Sequence, residues 1–467
     1  MSDPRVWVAA LAAAPAAVIA ASFVRVDVER LRRLAVTLAV AMLAGSMAAA
    51  VSVHLRTAAV RMPLPIVRVN ALASVLLPFA AALWLLTVAV TPRASLDRGG
   101  LRRTALATLI TFASFLTESA VALLLLSIAS VWTYLSALGD PAQRYQRRVV
   151  AAYLGLSTLL FGAGVALLVA AGHDGTALET TGLWLIVIAA LMRKGIVPFH
   201  AWVPEVFDHG RLGPSILFSA PQLGAYMTVV LIVPRASAEM LRVIAILALL
   251  TAVYGAALAL VQTSARRACG YLFMSQSALV MAGLDCTSIS ALAGGLLVWL
   301  SAGLAFAGLA RCVLVLEARR GRLDLTTYHG GYERTPVLAV SFLIMGLACT
   351  GFPGTLGFVG QELLVNGAVE AFPVMGFAVV LASALTGLAV LRMYFSLFCG
   401  RPDAFAHSAL RFGLTRLEAW TFVGLVLALV GFGLVPRPLV DSSVVASNDI
   451  LRARAALTSA SPDGSRR

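Results

Sequence analysis

The chain has 467 residues, 60% of them hydrophobic and 12% charged, with a mean hydropathy of +0.91. A soluble domain of that length could not hide so much apolar surface from water, so the composition indicates a polytopic membrane protein. The net charge of +14 comes mostly from arginines in short connections: Arg30, Arg32 and Arg33; Arg93, Arg98, Arg102 and Arg103; Arg144, Arg147 and Arg148; Arg319, Arg320 and Arg322. Such a bias sets orientation in a bilayer and favours anionic lipid, so no nucleic-acid partner is needed to explain it.

In chain order, Val6 to Val24 is the first span. Its Ala-rich run imitates a secretory signal, but Asp3 and a lone Arg5 make a poor n-region, and it is read as a helix. Further apolar runs of spanning length occupy 35–54, 70–91, 104–117, 119–138, 149–171, 182–203, 214–233, 238–261, 268–285, 289–316, 337–352, 355–371, 373–399 and 418–435. Two of the runs around Pro353 and Pro373 can be halves of one interrupted helix, so the expectation is an all-α integral membrane protein of about fourteen spans. The chain divides into N-terminal membrane helices over 1–103, a first repeat over 104–233, a second over 238–399, a C-terminal membrane helix within 400–440 and a polar tail over 441–467, disordered from Ser459. No connection is long enough to hold a core of its own, so chemistry on a soluble substrate would have to come from partner chains.

Cys269, Cys286, Cys312, Cys349 and Cys399 are scattered singly along apolar segments, with no spacing that suggests a disulfide framework or a metal knuckle. They read as small hydrophobes. No GxGxxG, GxxxxGK[ST] or CxxC occurs, so no nucleotide or iron-sulfur signature is present and no cofactor, metal or catalytic residue is expected in this chain.

Two stretches share an unusual design. In the first, Arg193-Lys194-Gly195-Ile196-Val197-Pro198 interrupts an apolar run that ends at Trp202-Val203-Pro204. Adjacent cations inside a membrane span must be held by water, carboxylates or protein interior, because a bare charge in hydrocarbon costs several kcal/mol. Pro198 removes a backbone donor and forces a break, which is tolerated at membrane depth only where protein or a water-filled cavity surrounds it. The alternative is a cationic helix end, with both side chains snorkelling to an interface. The second stretch, Phe352-Pro353-Gly354-Thr355-Leu356-Gly357-Phe358-Val359-Gly360-Gln361-Glu362, again sets a Pro/Gly break beside a charge. Interrupted helices at corresponding places in two halves point to an internally repeated transporter.

These stretches carry a family resemblance. "VPFHAWVPEVF", "GPSILFSAPQLGAY", "SARRACGYLFMSQSALVMAG", "WLSAGLAFAGLARCVL", "GFPGTLGFVGQELL", "LRMYFSLFCG" and "GFGLVPRPLVD" follow one another at familiar spacing over about residues 100 to 440. They resemble the antiporter-like, proton-conducting subunits of respiratory complex I and of multisubunit cation/proton antiporters, the M-type subunit most of all. The resemblance implies inverted five-helix repeats, broken helices seven and twelve, and a chain of buried Lys, Glu and His that carries protons through water at mid-membrane.

Carried over residue by residue, the resemblance exposes departures. The helix-five glutamate of the family falls on Ser127, nine residues after Glu118. The helix-seven lysine, five residues before the proline, falls on Arg193, with Lys194 next to it. An arginine keeps the charge but does not release its proton, whereas a lysine can, so Lys194 takes that role if the helix is rotated. The helix-eight lysine becomes Gln222, four residues before Tyr226; the second basic residue is Arg266; two histidines become Gln276 and Val298; and the helix-twelve Lys or Glu becomes Gln361, with Glu362 following.

Relay needs groups that gain and lose a proton, or water held between them. Gln222, Gln276, Ser127, Ser275 and Thr355 can order water but cannot store charge. The expected path is therefore Glu118, Arg193, Lys194, His200, Gln222, Arg266, Gln276, Gln361 and Glu362. Glu118 is either a connection residue or the acid paired with Arg193 or Lys194, and His200 is read first as a residue fixing the turn. His54, His173, His209, His329 and His407 fall at helix ends or in connections. Glu205 and Asp208 beside His209 lack a full metal-ligand set.

Three functions follow as expectations. The first is proton translocation as one membrane subunit of a hetero-oligomeric complex in a bacterial inner membrane, with other membrane subunits as partners, driven by a peripheral redox arm or exchanging protons for sodium. The second is the membrane half of an inorganic-carbon uptake system with a zinc carbonic-anhydrase-like partner. The third is a structural anchor that keeps the fold without conduction.

Overall fold

The computed structural model describes residues 4–24, 27–56, 60–61, 68–92, 96–171, 177–371, 373–400 and 414–460. Arg93, His173, His407, the side chain of His54 and the tail beyond Ala460 lie outside the described residues. The chain is built from helices in the order α1 (Pro4–Phe23), α2 (Val28–Arg56), α3 (Ala71–Val90), α4 (Arg98–Phe115), α5 (Ala120–Ala137), α6 (Arg144–Ala171), α7 (Ala177–Lys194), α8 (Trp202–His209), α9 (Leu212–Ser219), α10 (Leu223–Met227), α11 (Ala238–Val261), α12 (Ala265–Leu284), α13 (Ile289–Arg320), α14 (Pro336–Cys349), α15 (Leu356–Ala371), α16 (Pro373–Phe398), α17 (Arg416–Leu434) and α18 (Arg437–Ala460). A two-residue antiparallel pairing of Val60–Arg61 with Arg68–Val69 lies in the connection between α2 and α3.

The helices begin where the sequence supplies caps. Side-chain oxygens of Asn70, Asp97, Ser237 and Ser288 accept from backbone N–H groups of Ala73, Gly100, Met240 and Ala291 at 2.7 to 3.2 Å, satisfying donors that a helix start leaves open. Thr415 and Glu418 cap α17 reciprocally. Among the described residues, nine helical stretches are long and apolar enough to cross a membrane, with Leu11–Phe23 and Pro336–Cys349 as shorter apolar helices. Apolar side chains such as Leu125, Leu159, Phe377 and Trp420 point outward, as a lipid-facing surface requires.

The core is centred on α13, which packs against α3, α12, α14, α15, α17 and α18. Trp84, Trp202, Trp299, Phe112, Phe207 and Phe306 are among its fully buried side chains. Where α13 meets α15, glycines replace bulk. A Cβ on Gly294 would lie 2.4 Å from the Leu364 backbone nitrogen, one on Gly360 would lie 2.8 Å from Val298 N, and one on Gly367 would lie 2.4 Å from Ala291 N.

The expected breaks are present, and a third appears. The run 182–203 divides into α7 and α8 across residues 195–201, opened by Gly195 at φ 69°. The run around Pro353 divides into α14 and α15, with Gly351 at φ 74° and Gly354 at φ 84°, while the run from Pro373 is the separate helix α16. Such positive φ values suit a residue without Cβ. The run 214–233, read from sequence as one span, is α9, then α10, then a π-helical turn Thr228–Ile232, with Gln222 between α9 and α10 at φ 52°. Pro221, after Ala220, is the sequence signal for it.

The C-terminus needs correcting. Residues 441–467, read as a polar tail, include most of α18, which packs on α3 and α13. Ser443, Ala446, Ser447 and Ile450 are buried, an i, i+3, i+4, i+7 face, and Arg454 Nη1 donates to Val233 O at 2.6 Å. Three of those four residues are Ser or Ala, so the hydropathy of the face gave no sign of burial.

Candidate functional site at the broken helices

The last turn of α7 places Arg193 and Lys194 inside the protein, where they are 6% and 3% exposed. The snorkelling alternative is thereby excluded. Adjacent residues on a helix point about 100° apart, and the two cations accordingly reach different neighbours. Arg193 turns to α5, where Nη2 donates to Ser127 O at 3.1 Å and to Ser130 Oγ. Lys194 turns to the break between α9 and α10, where Nζ donates to Gln222 Oε1. The left-handed backbone at Gln222 is what swings this amide toward the lysine.

Aromatic residues fix the geometry around the pair. Trp202 Nε1 donates to Met192 O at 2.9 Å, and Tyr134 OH donates to Phe218 O at 2.6 Å. Their rings meet edge-on at 5.5 Å. Both rings line a cavity of about 10 Å³, together with Arg193, Lys194, Ser219, Gln222 and Ser277 among others. The hydroxyls of Ser219 and Ser277 are buried and have no protein partner. A space of that size with polar walls accommodates about one water molecule.

Other residues expected on the path are dispersed. Glu118 accepts from Asn70 Nδ2 at 2.9 Å, while Arg193 and Lys194 donate to Ser127, Ser130 and Gln222. It lines a cleft of about 240 Å³ together with Asn70, Arg235 and Asp449 beside α18. His200 lies in the turn between α7 and α8, half-buried, its ring edge-on to Tyr254 at 5.3 Å and its Nδ1 without a hydrogen-bond partner. Gln276, on α12, donates to Thr386 Oγ1 at 3.5 Å, and its Oε1 has no partner. Gln361 is a strut, donating to Cys349 O at 3.1 Å and accepting from Ser383 Oγ at 3.0 Å, so that it ties α15 to α14 and α16.

Two expected path residues require correction. Arg266, at the start of α12, is engaged by Glu317 Oε2 at 2.5 Å and by Gly210 O at 3.1 Å. It belongs to a charged helix-end cluster in which Asp208 pairs with Arg322 at 2.9 Å and Glu205 with Arg267 at 3.6 Å, away from Lys194. Glu362 is exposed on the outer face of α15, because Gln361 occupies the inward position and the next residue is carried about 100° round the helix.

Sequence reasoning missed four buried charged residues among those described: Glu317 and Glu418, which pair with Arg266 and Arg319, and Arg311 and Asp285. Arg311, on α13, is fully buried and donates to Thr87 Oγ1 and to Ala307 O at 3.0 Å. Asp285, the residue that ends α12, is 3% exposed. Its signal was an acid directly after the apolar run Ala278 to Leu284, at the helix end whose dipole disfavours an anion.

Residues 147–386 match the family described as NADH:quinone oxidoreductase/Mrp antiporter, TM. Among curated proteins, NADH-quinone oxidoreductase subunit M of Pseudomonas aeruginosa is 29% identical over 280 residues, covering 57% of this chain and 54% of that one. Subunit N of Rhodococcus opacus is 28% identical over 287 residues, covering 60% and 52%. The chain thus spans about half the length of the curated relatives it matches. Among solved structures, a chain of the Mrp complex from Dietzia sp. superposes with a TM-score of 0.83 at 19% identity, covering 96% of this chain and 99% of that one. A chain of respiratory complex I from Thermus thermophilus with bound NADH gives 0.83 at 19% identity, covering 97% and 99%. These two likenesses establish the fold. With a matched segment that runs from α6 into α16 and contains both the buried Lys194 and the broken helices, the chain belongs to the NADH:quinone oxidoreductase/Mrp antiporter family of membrane proteins.

Proposed function

We propose that this chain conducts protons across the membrane as one subunit of a larger assembly, in the manner of an M-type subunit, and performs no covalent chemistry itself. The observation that carries this reading is Lys194: a lysine inside a membrane protein, beside two helix breaks, hydrogen-bonded to a neutral amide. Holding an ammonium in such a place is costly, and a group that exchanges its proton with ordered water gives the cost a purpose. Ser219, Ser277 and Gln276 supply unpartnered polar atoms near it or on the facing helix.

Membrane partners are supported by the outer face of α15. Glu362, Asn366 and Glu370 form an exposed i, i+4, i+8 stripe, and a stripe of that kind is costly against lipid. The two repeats over 104–233 and 238–399, the bacterial inner membrane as location and a peripheral redox arm as the driving partner belong to the same proposal. A zinc carbonic-anhydrase-like partner is the alternative source of drive. The anchor reading is favoured by Gln361, whose amide nitrogen and oxygen are each hydrogen-bonded within the protein, and by Arg193, whose contacts are neutral.

The test is proton uptake by vesicles containing the assembly purified through a tag on this chain, under an imposed membrane potential. Uptake above that of protein-free vesicles, lost in Lys194→Ala, is expected. Uptake no greater than in protein-free vesicles would leave the anchor reading. The chains that co-purify decide between a redox arm and a zinc protein.

A further inference from the structure

Asp285 has an environment that neither helix packing nor the Lys194–Gln222 contact requires. It closes α12 in a helical conformation, its backbone N–H bonded to Met281 O at 3.1 Å. Both carboxylate oxygens are buried and neither has a hydrogen-bond partner. A carboxylate in that condition costs more than any ordinary packing defect, and it lies at the C-terminal end of a helix, where the dipole adds to the cost.

Its position relative to Lys194 is specific. Ser277 of α12 lines the same small cavity as Lys194, and Asp285 lies two turns further along α12, about 12 Å in helix rise. Between these levels α12 carries the apolar residues Ala278 to Leu284, and the third broken segment packs against it. Gly224 lies against the Lys194 stem, and Thr228 Oγ1, at the start of the π turn, reaches Met281 Sδ at 3.4 Å, one turn before Asp285. Among the described residues, Lys194 is the cation whose charge acts on Asp285, and Asp285 in turn acts on the adjoining Cys286. Two residues beyond Asp285, Thr287 is exposed in the short connection to α13. The carboxyl therefore lies between the interior lysine and one end of the helix bundle.

We infer that Asp285 is the acid that exchanges protons with Lys194 and passes them to the membrane face carrying the α12–α13 connection. This assignment rests on the proton-conducting reading. In the transfer, an N–H bond of the Lys194 ammonium breaks and an O–H bond forms on Asp285, with hydrogen-bonded water as the carrier. Lys194 is left as the amine and Asp285 as the neutral acid. The acid then gives its proton to water at the helix end and returns to carboxylate. Asp285 thus supplies an acid that neither Ser127, with its neutral side chain, nor Glu118, bonded to Asn70, offers to Lys194.

The experiment compares Asp285→Asn, Asp285→Glu and Lys194→Ala in the tagged, reconstituted assembly. The expected result is that Asp285→Asn lowers proton uptake at least about tenfold while Asp285→Glu retains most of it. Normal uptake in Asp285→Asn together with loss in Lys194→Ala would overturn the assignment and leave the proton-conducting reading standing. Normal uptake in both variants would overturn both. Infrared spectroscopy of the aspartate-labelled native assembly provides a second measurement that holds even if Asp285→Asn fails to assemble. A pH-dependent carboxylic C=O band that moves in Asp285→Glu supports the assignment, and a band insensitive to that substitution overturns it.

Discussion

Replacing Lys194 by Met separates stability from function. The substitution keeps most of the stem that packs against Gly224 and removes the ammonium. Lys194 is 3% exposed, and Gln222 Oε1 is its hydrogen-bond acceptor. Losing that charge-assisted bond costs about 1.5–3 kcal/mol. Removing the ion returns a desolvation penalty of several kcal/mol, and Asp285 answers the loss of the cation by binding a proton rather than standing as a bare buried carboxylate, so the net change lies between about zero and a few kcal/mol in favour of the variant. Thermal unfolding of the purified protein in detergent should therefore show Lys194→Met melting at or above the native temperature. Proton uptake in vesicles should fall at least about tenfold. A variant that melts well below the native protein yet conducts normally would refute the reasoning and make Lys194 a structural strut.

Further outcomes follow from single contacts. Gly294→Ala would push Cβ to 2.4 Å from Leu364 N, and overpacking against backbone should cost about 1–3 kcal/mol in detergent unfolding. Gly424→Ala, at a position with nothing within 4 Å, should instead stabilise α17 by up to about 1 kcal/mol. Thr87→Val removes the hydroxyl that accepts from buried Arg311, and a loss of about 1–3 kcal/mol is expected in the same assay. Arg266→Met should cost about 3–5 kcal/mol, because Glu317, with a side chain 5% exposed, would lose its cation; proton uptake per assembled complex should stay near native.

The helices were legible because spanning length and apolar run coincide, and Pro198 and Pro353 marked two breaks through the donor each removes. Pro221 marked a third but went unread, since prolines are common in membrane helices and no charge stood beside it. Within the site, burial of Arg193 and Lys194 followed from the cost of a charge in hydrocarbon, but their different partners depend on helix rotation that spacing alone leaves open. The same ambiguity concealed which of Gln361 and Glu362 turns inward. Asp285 escaped because an acid at the end of an apolar run looks like a connection residue until the neighbouring helices are seen to cover it. The family pattern directed attention to stations where this chain carries Ser127, Gln222, Gln276 and Gln361, and so away from an acid it does not contain.

The glycine seam between α13 and α15 has a mechanical consequence. With Gly294, Gly360 and Gly367 letting the two backbones touch, the half-helix after the second break is clamped against the longest rod in the protein and cannot slide along it without steric collision. Any displacement of α14 relative to α15 therefore falls on the connection holding Gly351 and Gly354, and it must break the bond from Gln361 to Cys349 O.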